Sequence, residues 1–334
     1  MNITINGFGR IGRQIFRQLF EKGVIITSIN DPNLSIEQMR ILLSYDTIYG
    51  RFPHSVEIKK GKLIINNRME LNCYFEKELS QLNLTGTDYL IDSSGKNRTK
   101  KEYDEIILKH PKLKRIIVTT FSTEADQTII YGVNEERIDE SNKIISTSTC
   151  DAVAILPIIK HIKEKRIESV TIITLHPYLS NQKLLDGSYM PIEDISLIAE
   201  WRAAPESLIP KKTSVESICI HYFPELKGKV NAYQMRIPTP CVSCAFIDIS
   251  FNDLITEQWV DSIIQVLKKY YLISSDHLIS KDFMNDKNSG IIDLRRLIIE
   301  NKALRMLVWY DNESGYSSKV LDILEILSKK WHTN

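Results

Sequence analysis

The sequence predicts an α/β chain of two domains, and three observations carry that expectation. A β-branched run, "NITIN" (2–6), passes through a glycine turn into "RQIFRQLFEKG" (13–23). There Ile15, Phe16, Leu19 and Phe20 recur at helical spacing, and a second run, "VIITSIND" (24–31), follows. Further on, "DYLIDSSG" (88–95) and "RIIVTTFS" (115–122) share one plan, a buried strand ending in small polar residues, with Thr119 at one such end. Finally, 334 residues exceed what a single core usually serves.

The first turn reads "GFGRIG" (7–12). Gly7 allows the tight turn, Gly9 lets a pyrophosphate approach the backbone, and Gly12 lets helix and strand pack closely. The helix start offers unpaired N–H groups to phosphates. Asp31 ends the second strand, where it can accept both ribose hydroxyls and repel a 2′-phosphate. A parallel dinucleotide-binding sheet, with NAD preferred over NADP, is therefore expected. "QTIIYGVN" (127–134) and "KIISTST" (143–149) read as two more strands.

Lys+Arg 43 against Asp+Glu 42 gives a net charge of +1, with 43% hydrophobic and 25% charged residues. That balance leaves no electrostatic footprint for nucleic acid. No uncharged apolar run is long enough to span a bilayer, and glycines and arginines break up the N-terminal segment, so neither a membrane anchor nor a signal peptide is expected. Five scattered cysteines argue against a disulfide framework and for a reducing cytoplasm. Cys241 and Cys244 have C-x-x-C spacing without a second pair and read as strand core, so no metal is expected.

Cys150 lies where "IIS" gives way to the helical pattern "DAVAILPIIKHIKE" (151–164), which Pro157 interrupts mildly. A thiol at a helix N-terminus meets the positive end of the dipole. "SVTIITLHPY" (169–178) is a strand that places His176 near its end. The two are either a reactive Cys–His pair or a buried cysteine and a core histidine, and spacing leaves both open.

Eight motifs bear on that choice: "INGFGRIGR", "YDTIYGRF" (45–52), "YGVNEE", "STSTC", "LH" with "QKLLDG" (182–187), "RAAPESLIP", "MRIPTP" and "WYDNESGY" (309–316). In this order they resemble the glyceraldehyde-3-phosphate dehydrogenase family over nearly the whole chain. The resemblance implies a Rossmann NAD-binding domain at 1–149 and 313–334, and an α+β catalytic domain with a mixed sheet at 150–312. Its C-terminal helix, "SSKVLDILEILSKKW", would return to the first domain. Cys150 falls on the family's nucleophile and His176 on its base. Arg10 and Ile11 fall beside the cofactor, Asn312 on the nicotinamide contact, and Tyr316 close by. Arg236 falls on the arginine that reads the substrate phosphate, and Thr213 on a hydroxyl of the acyl-acceptor site. Thr149 and Asp151 flank the nucleophile among the substrate-binding residues.

The family pattern at the nucleophile is Ser-Cys-Thr-Thr-Asn, whereas this chain has Thr149, Cys150, Asp151, Ala152 and Val153. Asp151 puts a carboxylate where a hydroxyl normally helps bind phosphate, although an acid in a first turn also favours the helix dipole. Ser214 replaces a glycine. Leu179 and "TSVESICIHYFPEL" (213–226) resemble the erythrose-4-phosphate dehydrogenase branch, in which water releases the acid; that branch keeps Cys-Thr-Thr-Asn, so the match is partial. "SYMPIEDISLIAEW" (188–201) is acidic and apolar where the family is basic and lines a neighbour's cofactor site.

The resulting expectation is NAD-dependent oxidation of a small phosphorylated aldehyde through a Cys150 thioester resolved by water, in a homo-oligomer (tetramer or dimer) of the cytoplasm. Two other readings stand beside it. One is a phosphorylating glyceraldehyde-3-phosphate dehydrogenase; the other is a non-catalytic NAD-binding regulatory protein, against which Cys150, His176, Arg236 and Asn312 speak together.

Overall fold

The computed structural model describes residues 1–139, 141–187 and 195–332. The chain divides into two compact units, Met1–Thr149 with Ser317–Asn334, and Cys150–Tyr316.

The first unit holds a nine-stranded sheet in the order Gln127–Thr128, Ile144–Ser146, Arg115–Val118, Tyr89–Asp92, Asn2–Asn6, Ile25–Asn30, Met69–Tyr74, Lys62–Ile65, Val56–Lys59. Neighbours are parallel as far as Met69–Tyr74. The last two strands form an antiparallel hairpin closed by Lys60 and Gly61, both at positive φ. The parallel dinucleotide-binding sheet expected from the sequence is thus present and is extended at this edge by the hairpin. A correction concerns "QTIIYGVN", which is a strand only over Gln127–Thr128. Beyond it, the Asn134 side chain accepts from Ile130 N–H at 2.8 Å and donates to Thr128 O at 2.9 Å, folding the segment into a turn.

Asn2–Asn6 lies between Ile25–Asn30 and Tyr89–Asp92, so successive strands depart to opposite sides of it. Ligands of open α/β sheets sit beyond the carboxyl ends of the strands at such a point. A buried polar network ties these ends together: Asn30 Nδ2 donates to Asn6 Oδ1 (2.7 Å), Asn6 Nδ2 to Asp92 Oδ1 (2.9 Å), and Arg98 Nε to Asp92 Oδ2 (2.9 Å). Gly7 follows with φ +90°, and a Cβ on it would lie 2.5 Å from Ser94 N. A Cβ on Gly12 would lie 2.1 Å from Gly7 O, so the first turn of the helix Arg10–Glu21 rests directly on the backbone before it. The final helix, Ser314–His332, joins this unit from Ser317 onward; Lys319 Nζ lies 4.9 Å over the Tyr131 ring and Glu325 pairs with Lys22 at 3.5 Å.

The second unit holds a seven-stranded mixed sheet in the order Ile209–Lys211, Val230–Ile237, Ile167–Pro177, Ser243–Phe251, Ala303–Tyr310, Gly290–Glu300, Tyr271–Ser274. The pairs Val230–Ile237 with Ile167–Pro177 and Tyr271–Ser274 with Gly290–Glu300 are parallel, and the others antiparallel. Helix Cys150–Ile162 is buried along most of its length and is held by Tyr271 Oη donating to Ala154 O at 2.8 Å. Pro157 removes one helical N–H, yet the helix continues to Ile162, because burial of its apolar surface outweighs the lost bond.

The Gly12 contact makes a direct prediction. Gly12→Ala must displace backbone, and thermal or urea unfolding is expected to show a loss of about 1–3 kcal/mol.

Candidate active site

Two strand ends and one helix start of the second unit converge on one place. Period-two alternation turns Val170, Ile172, Thr174 and His176 to the buried face of Ile167–Pro177. Val230, Gln234 and Arg236 are the buried residues of the adjacent strand, and parallel register sets Thr174 beside Gln234 and His176 beside Arg236. This otherwise apolar face therefore ends in polar side chains. The first turn of Cys150–Ile162 meets it, and Tyr310, the last residue of Ala303–Tyr310, completes the group.

Cys150 Sγ lies 3.5 Å from His176 Nε2 and 3.5 Å from Asp151 Oδ1. His176 Nδ1 is 2.8 Å from Pro177 O, an atom that can only accept, so Nδ1 carries the hydrogen and the Nε2 lone pair faces the thiol. Arg236 Nη1 donates to the same carbonyl at 3.3 Å. Asp151 accepts from Tyr310 Oη at Oδ1 (2.8 Å) and from Gln234 Nε2 at Oδ2 (2.7 Å). Both donors are neutral, so they hold the carboxylate in place without cancelling its charge.

The electrostatics follow from burial and from that carboxylate. Burial first, and then the charge of Asp151, push the Cys150 thiol well above its ordinary value, while Arg236 opposes them. Burial lowers His176 to about 4, although Asp151 pulls the other way. Tyr310 is raised for the same two reasons, burial and Asp151. At neutral pH the resting pair is a protonated thiol and a neutral imidazole. The expected helix-dipole advantage for the thiolate is outweighed here. Burial also lowers the Arg236 guanidinium, with Asp151 as its foremost opposing influence; a guanidinium nonetheless keeps its charge.

The other residues singled out from the sequence fall as follows. Thr149 immediately precedes Cys150, and Ser148 before it has φ +62°. Such a conformation costs a non-glycine residue about 1 kcal/mol, here at the turn leading to the helix. Thr213 Oγ1 accepts from Val215 N–H (3.2 Å) at the start of helix Val215–Tyr222, with Ser214 exposed between them. Leu179 is half-buried, and its N–H donates to Gln182 Oε1 at 3.0 Å. Asn312 is buried with no partner for Oδ1 among the described residues. Tyr316 is buried as well. Of the segment 188–201, residues 188–194 lie outside the described residues. Cys241 and Cys244 are both buried, Cys244 within strand Ser243–Phe251 and Cys241 just before it. Gln234 and Tyr310 were not anticipated as site residues. Gln234 was within reach, because it precedes Arg236 by two positions and so shares its face; Tyr310 carried no such signal.

In the first unit, the glycine turn fits a dinucleotide. Gly9 is exposed, and a Cβ there would meet nothing within 4 Å, so space remains above the turn. The helix Arg10–Glu21 has no side-chain cap, which leaves its first N–H groups for a phosphate. Asp31 is fastened to the turn, Oδ2 accepting from Phe8 N–H (2.8 Å) and Oδ1 from Asn33 N–H (2.9 Å). Gly7, Gly9, Asp31, Ser93 and Lys96 line one pocket. Thr119 lies at the same strand ends, its N–H donating to Asp92 O at 3.0 Å. Arg10 is engaged with Asp46 (2.8 Å) and stacks over Tyr49 at 5.4 Å, and Ile11 is half-buried.

Fold and glycine cradle together define an NAD-binding α/β protein. Residues 1–100 match the family description "Glyceraldehyde 3-phosphate dehydrogenase, NAD binding domain", and residues 149–312 match "Glyceraldehyde 3-phosphate dehydrogenase, C-terminal domain". The chain belongs to the glyceraldehyde-3-phosphate dehydrogenase family, and is an NAD-dependent oxidoreductase of that family. It is 31% identical to glyceraldehyde-3-phosphate dehydrogenase of Borreliella burgdorferi over 344 residues, covering 98% of this chain and 100% of the other. Glyceraldehyde-3-phosphate dehydrogenase 1 of Bacillus subtilis is 31% identical over 340 residues, 99% of each chain. The enzyme of Schistosoma mansoni is 28% identical over 340 residues, 99% of this chain and 98% of its own. No helix among the described residues is long and apolar enough to cross a membrane.

Two unit charges 3.5 Å apart repel by about 1 kcal/mol in water and about 5 kcal/mol at an effective dielectric of 20. Removing the charge with Asp151→Asn is therefore expected to lower the Cys150 pKa by at least about one unit. Iodoacetamide alkylation of Cys150 at pH 7 should accelerate about ten-fold or more, as read by mass spectrometry of the labelled peptide.

Proposed function

We propose that the chain oxidises a small phosphorylated aldehyde, glyceraldehyde-3-phosphate or an erythrose-4-phosphate-like sugar, through a thioester on Cys150 that water resolves. Cys150 Sγ attacks the aldehyde carbon and its proton passes to the carbonyl oxygen by way of His176 Nε2, giving a hemithioacetal. Nε2 then takes the hydroxyl proton as the C–H electron pair leaves. NAD, when bound, supplies the acceptor for that hydride. The lone pair of Nε2 already faces Sγ, which suits both transfers. Water next attacks the thioester carbon, and one of its protons goes to a carboxylate oxygen of Asp151. As the C–S bond breaks, the leaving sulfur takes the proton held on His176 Nε2, giving the acid and the thiol, and Asp151 returns its proton to solvent. Arg236, buried and cationic, suits a substrate phosphate. Asn312, with its unpartnered Oδ1, suits a carboxamide N–H.

One observation carries the choice of water: the Asp151 carboxylate, 3.5 Å from Sγ. It stands where an anionic acyl acceptor would have to approach and would repel it, whereas it can accept a proton from water. A phosphorylating enzyme needs the opposite electrostatics.

Self-association belongs to the same proposal. On the open face of the second sheet, Ile173 lies beside Tyr233 on one side and Phe246 on the other, and all three are exposed. A contiguous apolar patch across three strands suits a second copy of the chain.

NADH formation should be measured over a panel of phosphorylated aldehydes, each with and without inorganic phosphate. Turnover independent of phosphate is expected for the best substrate, and a strict phosphate requirement would overturn the water step. Asp151→Thr is expected to gain phosphate-dependent turnover, visible as acyl phosphate trapped by hydroxylamine. For the patch, Ile173→Asp with Tyr233→Asp should shift the mass measured by light scattering toward the monomer.

A further inference from the structure

Cys150, Asp151 and His176 present a sulfur, a carboxylate oxygen and an imidazole nitrogen within 4.8 Å of one another. Among the described residues this is the one such group of potential ligands. Cys241 and Cys244, the paired cysteines, gave no expectation of a metal because they lack a second pair. The three-dimensional arrangement is different in kind: three unlike donors from a helix start and a strand end.

The geometry points to a zinc site at Cys150 Sγ, Asp151 Oδ1 and His176 Nε2, with one position open to water, that caps the nucleophile. In a tetrahedral site, Zn–S of about 2.3 Å and Zn–N or Zn–O of about 2.0–2.1 Å place sulfur about 3.5–3.6 Å from the nitrogen or oxygen. Both sulfur separations here are 3.5 Å. The nitrogen and the carboxylate oxygen lie within 4.8 Å of each other, and a tetrahedral ion would draw them to about 3.3 Å, a closure that rotation of the His176 and Asp151 side chains can supply. Three protein ligands and an open fourth position is also the usual composition of an accessible zinc site. The mix of thiolate, imidazole and carboxylate suits zinc over magnesium or calcium, which take oxygen ligands.

The supporting contacts are those that orient metal ligands. His176 Nδ1–H donates to a backbone carbonyl, which leaves Nε2 as the bare ligand atom. Tyr310 uses one lone pair of Asp151 Oδ1 and Gln234 bonds Oδ2, so a second lone pair of Oδ1 remains toward the sulfur. On binding, the S–H bond is replaced by S–Zn and the proton leaves to solvent, with nothing oxidised or reduced. With zinc bound, Sγ is no longer free to attack a carbonyl carbon. A hydroxyl residue in place of Asp151 would leave two protein ligands, so the third is this chain's own. The site does not depend on the proposed reaction, since it exists without aldehyde or NAD.

The test titrates the full chain with Zn2+ alone and, separately, with Co2+, in the absence of aldehyde and NAD. One Zn2+ per chain is expected by metal analysis after dialysis, with protection of Cys150 from iodoacetamide that a chelator reverses. Co2+ should give a thiolate-to-cobalt charge-transfer band that is absent in Cys150→Ser. Asp151→Asn, close in shape to the native residue, should weaken zinc at least about ten-fold, and His176→Gln likewise. Circular dichroism and thermal unfolding of each variant establish that it is folded. The proposal is overturned if wild type binds no zinc, if the cobalt spectrum lacks the thiolate band, or if folded Asp151→Asn keeps wild-type affinity.

Discussion

A carboxylate buried beside a thiol is the constraint on which the second unit's polar end depends. Asp151 cannot be left unbonded in a desolvated place. Tyr310 and Gln234 satisfy it, and because each is neutral neither brings a compensating positive charge. From that single charge the rest follows. The thiol holds its proton, the tyrosine holds its proton, and a buried guanidinium nearby is the natural compensating cation. The imidazole stays neutral because burial outweighs the attraction of the carboxylate. The arrangement is internally consistent, and it differs from a site built to gather several anions.

Much of this was legible in the sequence where the signal is local. The glycine turn, its helix and Asp31 lie within thirty-one residues of the N-terminus, and each has a distinct steric or electrostatic task that only a few residue types perform. Cys150 and Asp151 are neighbours, so their conflict could be seen at once. Cys150 and His176 are separated by 26 positions, and only the helix lying over the strand end brings them together. Gln234 and Tyr310 are 83 and 159 positions from Asp151, and no periodicity links them to it. Their role depends on strand order, which the sequence does not state. The short strand Gln127–Thr128 was overread because Asn134, a side chain, replaces the backbone partner a strand would need.

The two units solve a common problem in different ways. Both bring polar groups to the carboxyl ends of parallel strands. In the first, Asn30, Asn6, Asp92 and Arg98 bond to one another and to Ser94, Tyr103 and the Glu76 backbone, which fixes the strand ends as a rigid floor beneath an open glycine turn. In the second, capacity is left over: the single S–H of Cys150 faces two acceptors, His176 Nε2 and Asp151 Oδ1, and can serve only one of them at a time. The first arrangement holds a shape, and the second is prepared to react.

The discontinuity of the first unit bears on how the chain is made. Its final helix is synthesised after the whole of Cys150–Tyr316, an interval of about 170 residues. At about 5–20 residues per second, ribosomes need roughly 10–30 s to cover that distance. During this time Tyr131 and Lys22 have been made but their partners Lys319 and Glu325 have not. Strand Ala303–Tyr310, interior to the second sheet, is made only shortly before that helix, so both units wait on the same late stretch of chain before either is complete.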